Sequence, residues 1–596
     1  MSKTIRIGGA SGFWGDSMMA APQLLAGGKL DYLVFDYLAE ITMSIMARAR
    51  AQNPTDGYAT DFVSATMRQC LPEIARQNVK VISNAGGVNP QACAAALEAL
   101  IAQLGLSLKV ATVTGDDVMP LIPDLRERGM KEMFSGDAMP AEFMSANAYL
   151  GAFPIARALD KGADIVVTGR GVDSAVTLGA CIHAFGWKET DYDVLAGGSL
   201  AGHIIECGAQ ATGGLFTDWQ SVEGWENIGY PIAEVSADGS FTIGKPENTG
   251  GIVLPATVAE QMVYEIGDPQ AYILPDVVCD FSQVRIEQVG DNLVRVMGAG
   301  GAPPTDTYKV SATYQDGFRV GLYLTIAGID ADGKARKTAD AILKRCRVML
   351  RMRNMADFKE TNVELIGAES GYGANRRGRA LREVILKLAA KHDDPKALAM
   401  LLREATSSGT SMSPGTTGMG GNRPKPSPIV RLFSFLLPKS AITPQVHMNG
   451  ETWDVEIASG TPFDAGKLAR PGGPLPEAIP ASTKEVPLVS LAWGRSGDKG
   501  NNANIGILAR EQDYLPYIRA ALTQDAVAQY FAHFLEGRVE RFDLPGVNGV
   551  NFMLHDVLGG GGMASLRNDP QGKTYAQMLL DFPVPVPADI ARRVSA

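Results

Sequence analysis

Five times within the first 173 residues an apolar run gives way at once to glycine or an acidic residue. The runs cover residues 4–7, 32–35, 79–82, 109–113 and 164–167. They lead into Gly8-Gly9-Ala10-Ser11-Gly12, Asp36, Ser83-Asn84-Ala85-Gly86-Gly87, Gly115-Asp116-Asp117 and Gly169-Arg170-Gly171-Val172-Asp173. Stretches of helical period lie between them at 17–26, 38–51, 62–77, 91–104 and 147–159, and another follows the fifth at 174–185. Strands alternating with helices across short connections imply a parallel sheet with helices on both faces. Ligands of such sheets bind beyond the carboxyl ends of the strands. All five polar tips are therefore expected along one edge.

At 596 residues the chain exceeds what one core usually supports, so two or three domains are expected. Residues 1–470 read as one large α/β unit, with the parallel part at 1–200. Residues 201–470 form a sheet-rich part, with strands predicted at 251–255, 294–297, 309–314 and 318–327 and helices at 339–353, 379–391 and 395–404. The Ser, Gly and Pro of 407–428 predict irregular structure, either a linker or a binding loop. A Pro/Gly-rich linker is placed at 471–486, and 487–596 read as a small α+β domain. A formal charge of −10 with scattered basic residues argues against a nucleic-acid partner. Six cysteines without a CxxC pair fit reduced thiols, and no apolar run approaches the ~18 residues of a membrane span. With no signal-peptide pattern, a cytoplasmic protein that does not engage membranes is expected, as a homo-oligomer.

No cofactor is predicted. The first tip spaces its glycines as G-x-x-G-x-x-G, not as a dinucleotide fingerprint, and neither a Walker loop nor a G-x-S-x-G elbow occurs. The amides of Gly9 and Gly12 could hold an anion, or the glycines could simply form a tight turn; Trp14 and Asp16 decorate it. Asp36 and Glu40 could share a helix face as an acid pair, or could simply favour the helix dipole. Asp116 raises the same choice. Arg170 can grip a carboxylate or phosphate, or close its turn on Asp173. His203 and Glu206, three apart, could act as a base and its orienting partner. Cys207 beside them could be a nucleophile if its pKa were depressed. Metal-ligand spacing is absent, so no metal is predicted. The turns at 493–502 and 559–562 either contact the large domain or cover its cleft.

Residues 7–16 (Ile7-Gly8-Gly9-Ala10-Ser11-Gly12-Phe13-Trp14-Gly15-Asp16), 30–44, 84–90 (Asn84-Ala85-Gly86-Gly87-Val88-Asn89-Pro90), 202–214, 245–251 and 272–277 resemble the acyclic terpene utilization (AtuA-type) family over roughly 4–470. Arg495-Ser496-Gly497-Asp498-Lys499-Gly500-Asn501 is similar to the ferredoxin-like domain often fused behind it. The resemblance implies catabolism of citronellol- or geraniol-type compounds, whose intermediates are branched acyl-CoA thioesters.

These observations together predict a hydratase or lyase acting on a branched acyl-CoA or related carboxylate, with CoA entering only as part of the substrate. His203 or Glu206 is the candidate base and Asp36 or Glu40 the acid, with Asp173 also a catalytic candidate. Gly9, Gly12, Trp14, Asp16, Asn84, Gly86, Asp116, Arg170, Cys207 and Ser411 are candidate substrate contacts, Ser411 through a lid or phosphate cradle in the 407–428 loop. The alternatives are a non-catalytic acyl-CoA-binding or scaffold subunit and an acyltransferase working through Cys207.

Overall fold

In the computed structural model, residues 3–378, 380–417, 424–476, 483–562 and 564–595 are described. The chain opens with β1 (Thr4–Gly9), α1 (Ala20–Gly27), β2 (Tyr32–Phe35), α2 (Glu40–Gln52), α3 (Arg68–Gln77) and β3 (Lys80–Ser83). It continues through α4 (Pro90–Gln103), β4 (Val110–Thr114), α5 (Ile122–Glu127), β5 (Ser145–Ala148), α6 (Phe153–Asp160), β6 (Ile165–Thr168), α7 (Ala175–Phe185) and α8 (Tyr192–Ile205). Strands β1, β2, β3, β6 and β4 pair in that order, all parallel. Alternate residues of these strands enter different cores. Tyr32, Val34, Ile82 and Val166 join the layer of α6–α8, whereas Leu33, Phe35, Val81 and Val167 join that of α1–α4. Burial on both faces explains why the strands read as unbroken apolar runs.

Antiparallel strands extend this sheet at both edges. On the β1 side lie β7 (Ile232–Ser236) and β8 (Phe241–Gly244). After α9 (Pro255–Val263), β9 (Tyr272–Ile273) and β10 (Val278–Asp280) come β11 (Arg285–Gly290) and β12 (Leu293–Met297), which finish that edge. β13 (Gly300–Ala302) pairs with β10. A second sheet is built around β14 (Thr307–Ala327), 21 residues long. It is covered on one face by α10 (Ala331–Met352), with β15 (Glu360–Ile366), β16 (Glu383–His392), α11 (Pro395–Ser411) and β17 (Ser427–Pro438) completing it. β5 leaves the parallel sheet to pair with β14. β18 (Gln445–Met448) and β19 (Glu451–Asp454) then close the β4 edge of the first sheet.

The C-terminal domain has its own core. After β20 (Thr483–Pro487), the hairpin β21 (Ala492–Lys499) and β22 (Asn502–Ala509) joins β23 (Val539–Leu544) and β24 (Gly549–Leu554) in a four-stranded antiparallel sheet. α12 (Leu515–Ala521), α13 (Gln524–Tyr530) and α14 (Tyr575–Leu579) pack into that core, and β25 (Pro583–Pro587) pairs with β20. No helix among the described residues is long and apolar enough to cross a membrane.

Several expectations are corrected. Of the helix expected at 379–391, Arg379 lies outside the described residues, and residues 383–391 belong instead to strand β16, whose Val384, Leu386 and Leu388 face α10 and α11. Its Lys387 and Ala389 are buried too, which hides the two-residue period. The irregular structure expected from 407 is helix through Ser411. The hydroxyls of Ser407, Ser408 and Ser411 donate back to the carbonyls of Glu404, Ala405 and Ser407, so the serines do not compete with the ladder. Residues 418–423 of that segment lie outside the described residues. The strand expected at 251–255 is irregular and leads into α9. The single helix expected at 147–159 divides into the end of β5 and α6.

Candidate active site

Asp36 follows β2 and Asn84 follows β3. Asn84 Oδ1 accepts the Tyr37 N–H at 2.7 Å, its amide donates to Asp36 Oδ1, and Ser11 Oγ donates to the Asp36 carbonyl at 3.0 Å. The strand tips thus hold Asp36 out of water, at 7% exposure. Burial, then the negative charges of Asp173 and Glu206, push its carboxyl well above the ordinary range against the pull of Arg170 and Asn84.

Arg170, beyond β6, is 4% exposed. Its N–H donates to Asp116 Oδ2 at 2.9 Å, and Asn147 donates to the same oxygen at 2.8 Å. Burial raises Asp116 to about 6, and the carboxyl carries the Arg170 turn from beneath. The guanidinium donates to Asp173 Oδ1 at 2.6 Å and to the Gly171 carbonyl at 3.0 Å, and lies 4.2 Å from the Tyr149 ring centroid. The Tyr149 hydroxyl donates to Glu40 Oε1 at 2.5 Å, with Lys309 Nζ 3.8 Å from the same oxygen. Burial acts to raise Glu40, but Lys309, Arg170 and the Tyr149 hydroxyl outweigh it and bring the carboxyl to about 2. Its neighbours therefore favour the ionised form of Glu40.

α8 delivers His203 and Glu206. Gly202 is required because a Cβ there would come 2.7 Å from the Ser174 carbonyl. His203 is 1% exposed. Its Nε2 faces the Met262 carbonyl at 3.2 Å and its Nδ1 faces Glu206 Oε1 at 3.0 Å. A carbonyl only accepts, so Nε2 carries hydrogen, and one further proton lies between Nδ1 and Oε1. Both ring nitrogens are thus occupied. Of the two candidate bases, only Glu206 keeps an atom, Oε2, without a partner among the described residues. Burial raises the Glu206 carboxyl against the pull of His203. Glu206 Oε2, Arg170 Nε and Ser174 Oγ are buried atoms with no hydrogen-bond partner among the described residues. Such atoms are uncommon in folded proteins and mark a place for a bound group.

The glycine turn does something other than cradle an anion. The Gly9 N–H donates to the Pro231 carbonyl at 3.0 Å and that of Gly12 to Asp16 Oδ2 at 2.8 Å, so both expected anion donors are occupied. A Cβ would stand 2.3 Å from the Ile205 carbonyl at Gly9 and 2.6 Å from the Gly208 nitrogen at Gly12. The glycines let the tip of β1 touch the end of α8. Likewise a Cβ at Gly86 would stand 2.5 Å from the Thr168 carbonyl, where the ends of β3 and β6 meet. Trp14 donates to Asp61 at 2.5 Å, and Asp16 accepts from the Tyr230 hydroxyl at 2.9 Å; both brace the turn. Asp16 lines a recess of about 40 Å³ with Tyr37 and Asp61. The Cys207 thiol is pushed well up by burial and by Glu206, Glu265 and Asp36, the reverse of an activated nucleophile. Ser411 is exposed on α11 and its hydroxyl donates to the Ser407 carbonyl within the helix; residues 418–423 of the loop expected as a lid lie outside the described residues.

A further group went unread in the sequence. Lys573 Nζ lies 3.1 Å from Glu265 Oε1 and 3.3 Å from Asp498 Oδ1, and it donates to the Tyr264 hydroxyl. Burial acts to raise Glu265, but Lys573 and Lys499 hold it low, while burial and the Glu265 charge lift Asp498 to about 6. Tyr272 joins this group to the first, its ring 5.8 Å from that of His203. Nothing in the local sequence marks Glu265; Tyr272 opens the 272–277 block without a role read for it, and the Asp498-Lys499 turn was visible as a polar turn of both signs. Among the described residues, no three His, Cys, Asp or Glu side chains are grouped as a metal site would need.

The molecule is thus an α/β protein with acidic and basic side chains gathered at the carboxyl edge of its parallel sheet and a small α+β domain joined behind. The family model described as acyclic terpene utilisation family protein AtuA matches residues 5–448, and that of the AtuA ferredoxin-like domain matches 486–585. The chain belongs to the acyclic terpene utilisation family, as its sequence blocks indicate. No curated protein and no solved structure matches it.

Proposed function

We propose that this sheet edge catalyses acid–base chemistry on a branched acyl-CoA thioester, or a related carboxylate, met in acyclic terpene breakdown, as a hydratase or lyase. One observation supports this above others: Asp36, Asp173, Glu206 and Arg170 act on one another at one sheet edge, while Glu206 Oε2 and Arg170 Nε are left without protein partners. In the hydration direction Glu206 Oε2 takes a proton from water as the water oxygen bonds to the β-carbon. Asp36, held in its acid form, gives its proton to the α-carbon, and two proton transfers balance the addition. His203 fixes the carboxyl through Oε1, and Arg170 Nε orients the substrate.

Incubating the protein with saturated, unsaturated and 3-hydroxy branched acyl-CoA thioesters, with products followed by mass, tests the reading. Glu206→Gln is expected to lower kcat by about 10²-fold or more while the calorimetric Kd for the same thioester changes little. Binding without turnover in the unaltered protein would support a non-catalytic acyl-CoA-binding subunit instead. Inertness across the whole panel would count against the enzyme.

A further inference from the structure

The hairpin β21–β22 of the C-terminal domain ends in Asp498-Lys499-Gly500, and this tip meets Tyr264, Glu265 and Tyr272 of the large domain. Lys499 Nζ lies 6.0 Å from the Tyr272 ring centroid, on a ring that also neighbours His203. The two lysines here differ in kind. Lys573 is neutralised by Glu265 and Asp498, whereas Lys499 is exposed and has no ion-pair partner among the described residues. The Tyr272 hydroxyl likewise makes no hydrogen bond among the described residues.

The tip is held there by a dense interface. Asn504 of β22 donates to the Val263 carbonyl at 2.6 Å and accepts the Glu265 N–H at 2.9 Å, and Asn551 of β24 donates to the carbonyls of Ile266 (2.7 Å) and Gly267 (2.6 Å). Between these clamps Glu265 sits at φ 57°, a left-handed conformation costly for a residue with a Cβ. A Cβ at Gly497 would stand 2.6 Å from the Tyr264 ring and one at Gly506 2.3 Å from Val263, so the hairpin touches the large domain without clearance. Strain of this sort is sustained where surrounding contacts over-determine it, and here those contacts come from the second domain.

We infer that the Tyr272 hydroxyl and the Lys499 ammonium together receive the thioester carbonyl oxygen of the substrate, so that the ferredoxin-like domain completes the site whose acid–base groups lie in the large domain. This rests on the acid–base reading of the sheet edge. Negative charge gathers on that oxygen when a proton leaves the α-carbon or a nucleophile reaches the β-carbon, and fixed donors aimed at it act most strongly there. Burial, with the charges of Glu206 and Asp173, pushes the Tyr272 hydroxyl well above its ordinary range, which keeps it a donor.

The test uses the full chain with isobutyryl-CoA carrying ¹³C at its carbonyl, a saturated thioester that cannot add water. Bound to the unaltered protein, its carbonyl resonance is expected to move downfield. The shift should shrink in Tyr272→Phe and in Lys499→Met, vanish in the double variant, and return in Lys499→Arg. On any thioester the protein turns over, Tyr272→Phe is expected to lower kcat by about 10²-fold or more, with thermal midpoints unchanged. A bound probe whose resonance is identical in all variants overturns the inference while leaving the acid–base reading intact, and so does failure of the probe to bind a protein that turns over other thioesters. A downfield shift lost in the variants, in a protein that turns over nothing, upholds the inference and sinks the catalytic reading.

Discussion

Asp116 is the carboxyl whose consequence for stability is most direct, because it is buried and accepts hydrogen bonds from Asn147 and the Arg170 N–H. An unfolded aspartate titrates near ~3.9, and burial lifts this one to about 6. A raised folded pKa means the acid form is favoured by the fold. The contribution is complete below about pH 4 and disappears as pH climbs through about 6, a span of about 3 kcal/mol. Asp116→Asn keeps an acceptor oxygen and abolishes the titration. Urea unfolding of the variant should show a flatter pH dependence than the parent between pH 4 and 6 by roughly that amount; parallel curves would show that Asp116 does not titrate there. At this scale the sequence was legible in part. Asp36, Asn84 and Arg170 follow strands whose order could be read, whereas His203 and Glu206 lie at the end of α8, a helix the sequence reading did not include. That Glu40 favours its ionised form and His203 is fully occupied depends on Tyr149, Lys309 and the Met262 carbonyl, partners too far along the chain for any spacing to reveal.

Among the elements, α11 offers a clean test of why 407–411 is helical. Gly409 is exposed in its last turns and a Cβ there would meet nothing within 4 Å. Glycine inside a helix costs about 0.5–1 kcal/mol relative to alanine. Gly409→Ala should therefore raise the denaturation midpoint by an equivalent amount, whereas no gain would mean the segment is not helical in solution. The parallel strands and the helices between them were readable because each carries one simple period. β16 was not, since its second face is partly buried by the C-terminal domain, to which Lys387 donates at the Leu566 carbonyl. The serines of α11 misled for a different reason: composition reports what a residue prefers, and back-bonding to the preceding turn had already satisfied it.

At the scale of the whole molecule, the two domains are joined by more than proximity. Arg510 donates twice to Asp218, at 2.6 Å each, and Trp493 donates to the same carboxylate at 2.7 Å, while Arg495 reaches the Leu215 carbonyl at 2.8 Å. Calorimetric unfolding should be a single transition. Asp218→Ala, which strands three donors, should weaken the union by about 1–3 kcal/mol and separate or broaden the transition; an unchanged profile would mean the other contacts between the domains suffice to unite them. Pro and Gly suggested a boundary near 471–486, of which 477–482 lie outside the described residues and 483–486 belong to β20; the way the hairpin tip meets Tyr272 was not legible, because contact between distant surfaces leaves no local period. The length of β14 carries a consequence for synthesis. Its 21 residues, roughly 70 Å of extended chain, are flanked by β5 upstream and by β16 and β17 far downstream, and the β4 edge is covered only by β18. A ribosome that has released residue 114 must continue to residue 445 before that edge is closed, roughly 15–65 s of elongation. Throughout that interval the nascent polypeptide presents unpaired strands to its neighbours on the polysome, so yield in the cell will depend on chaperone capacity as well as on the stability of the finished fold.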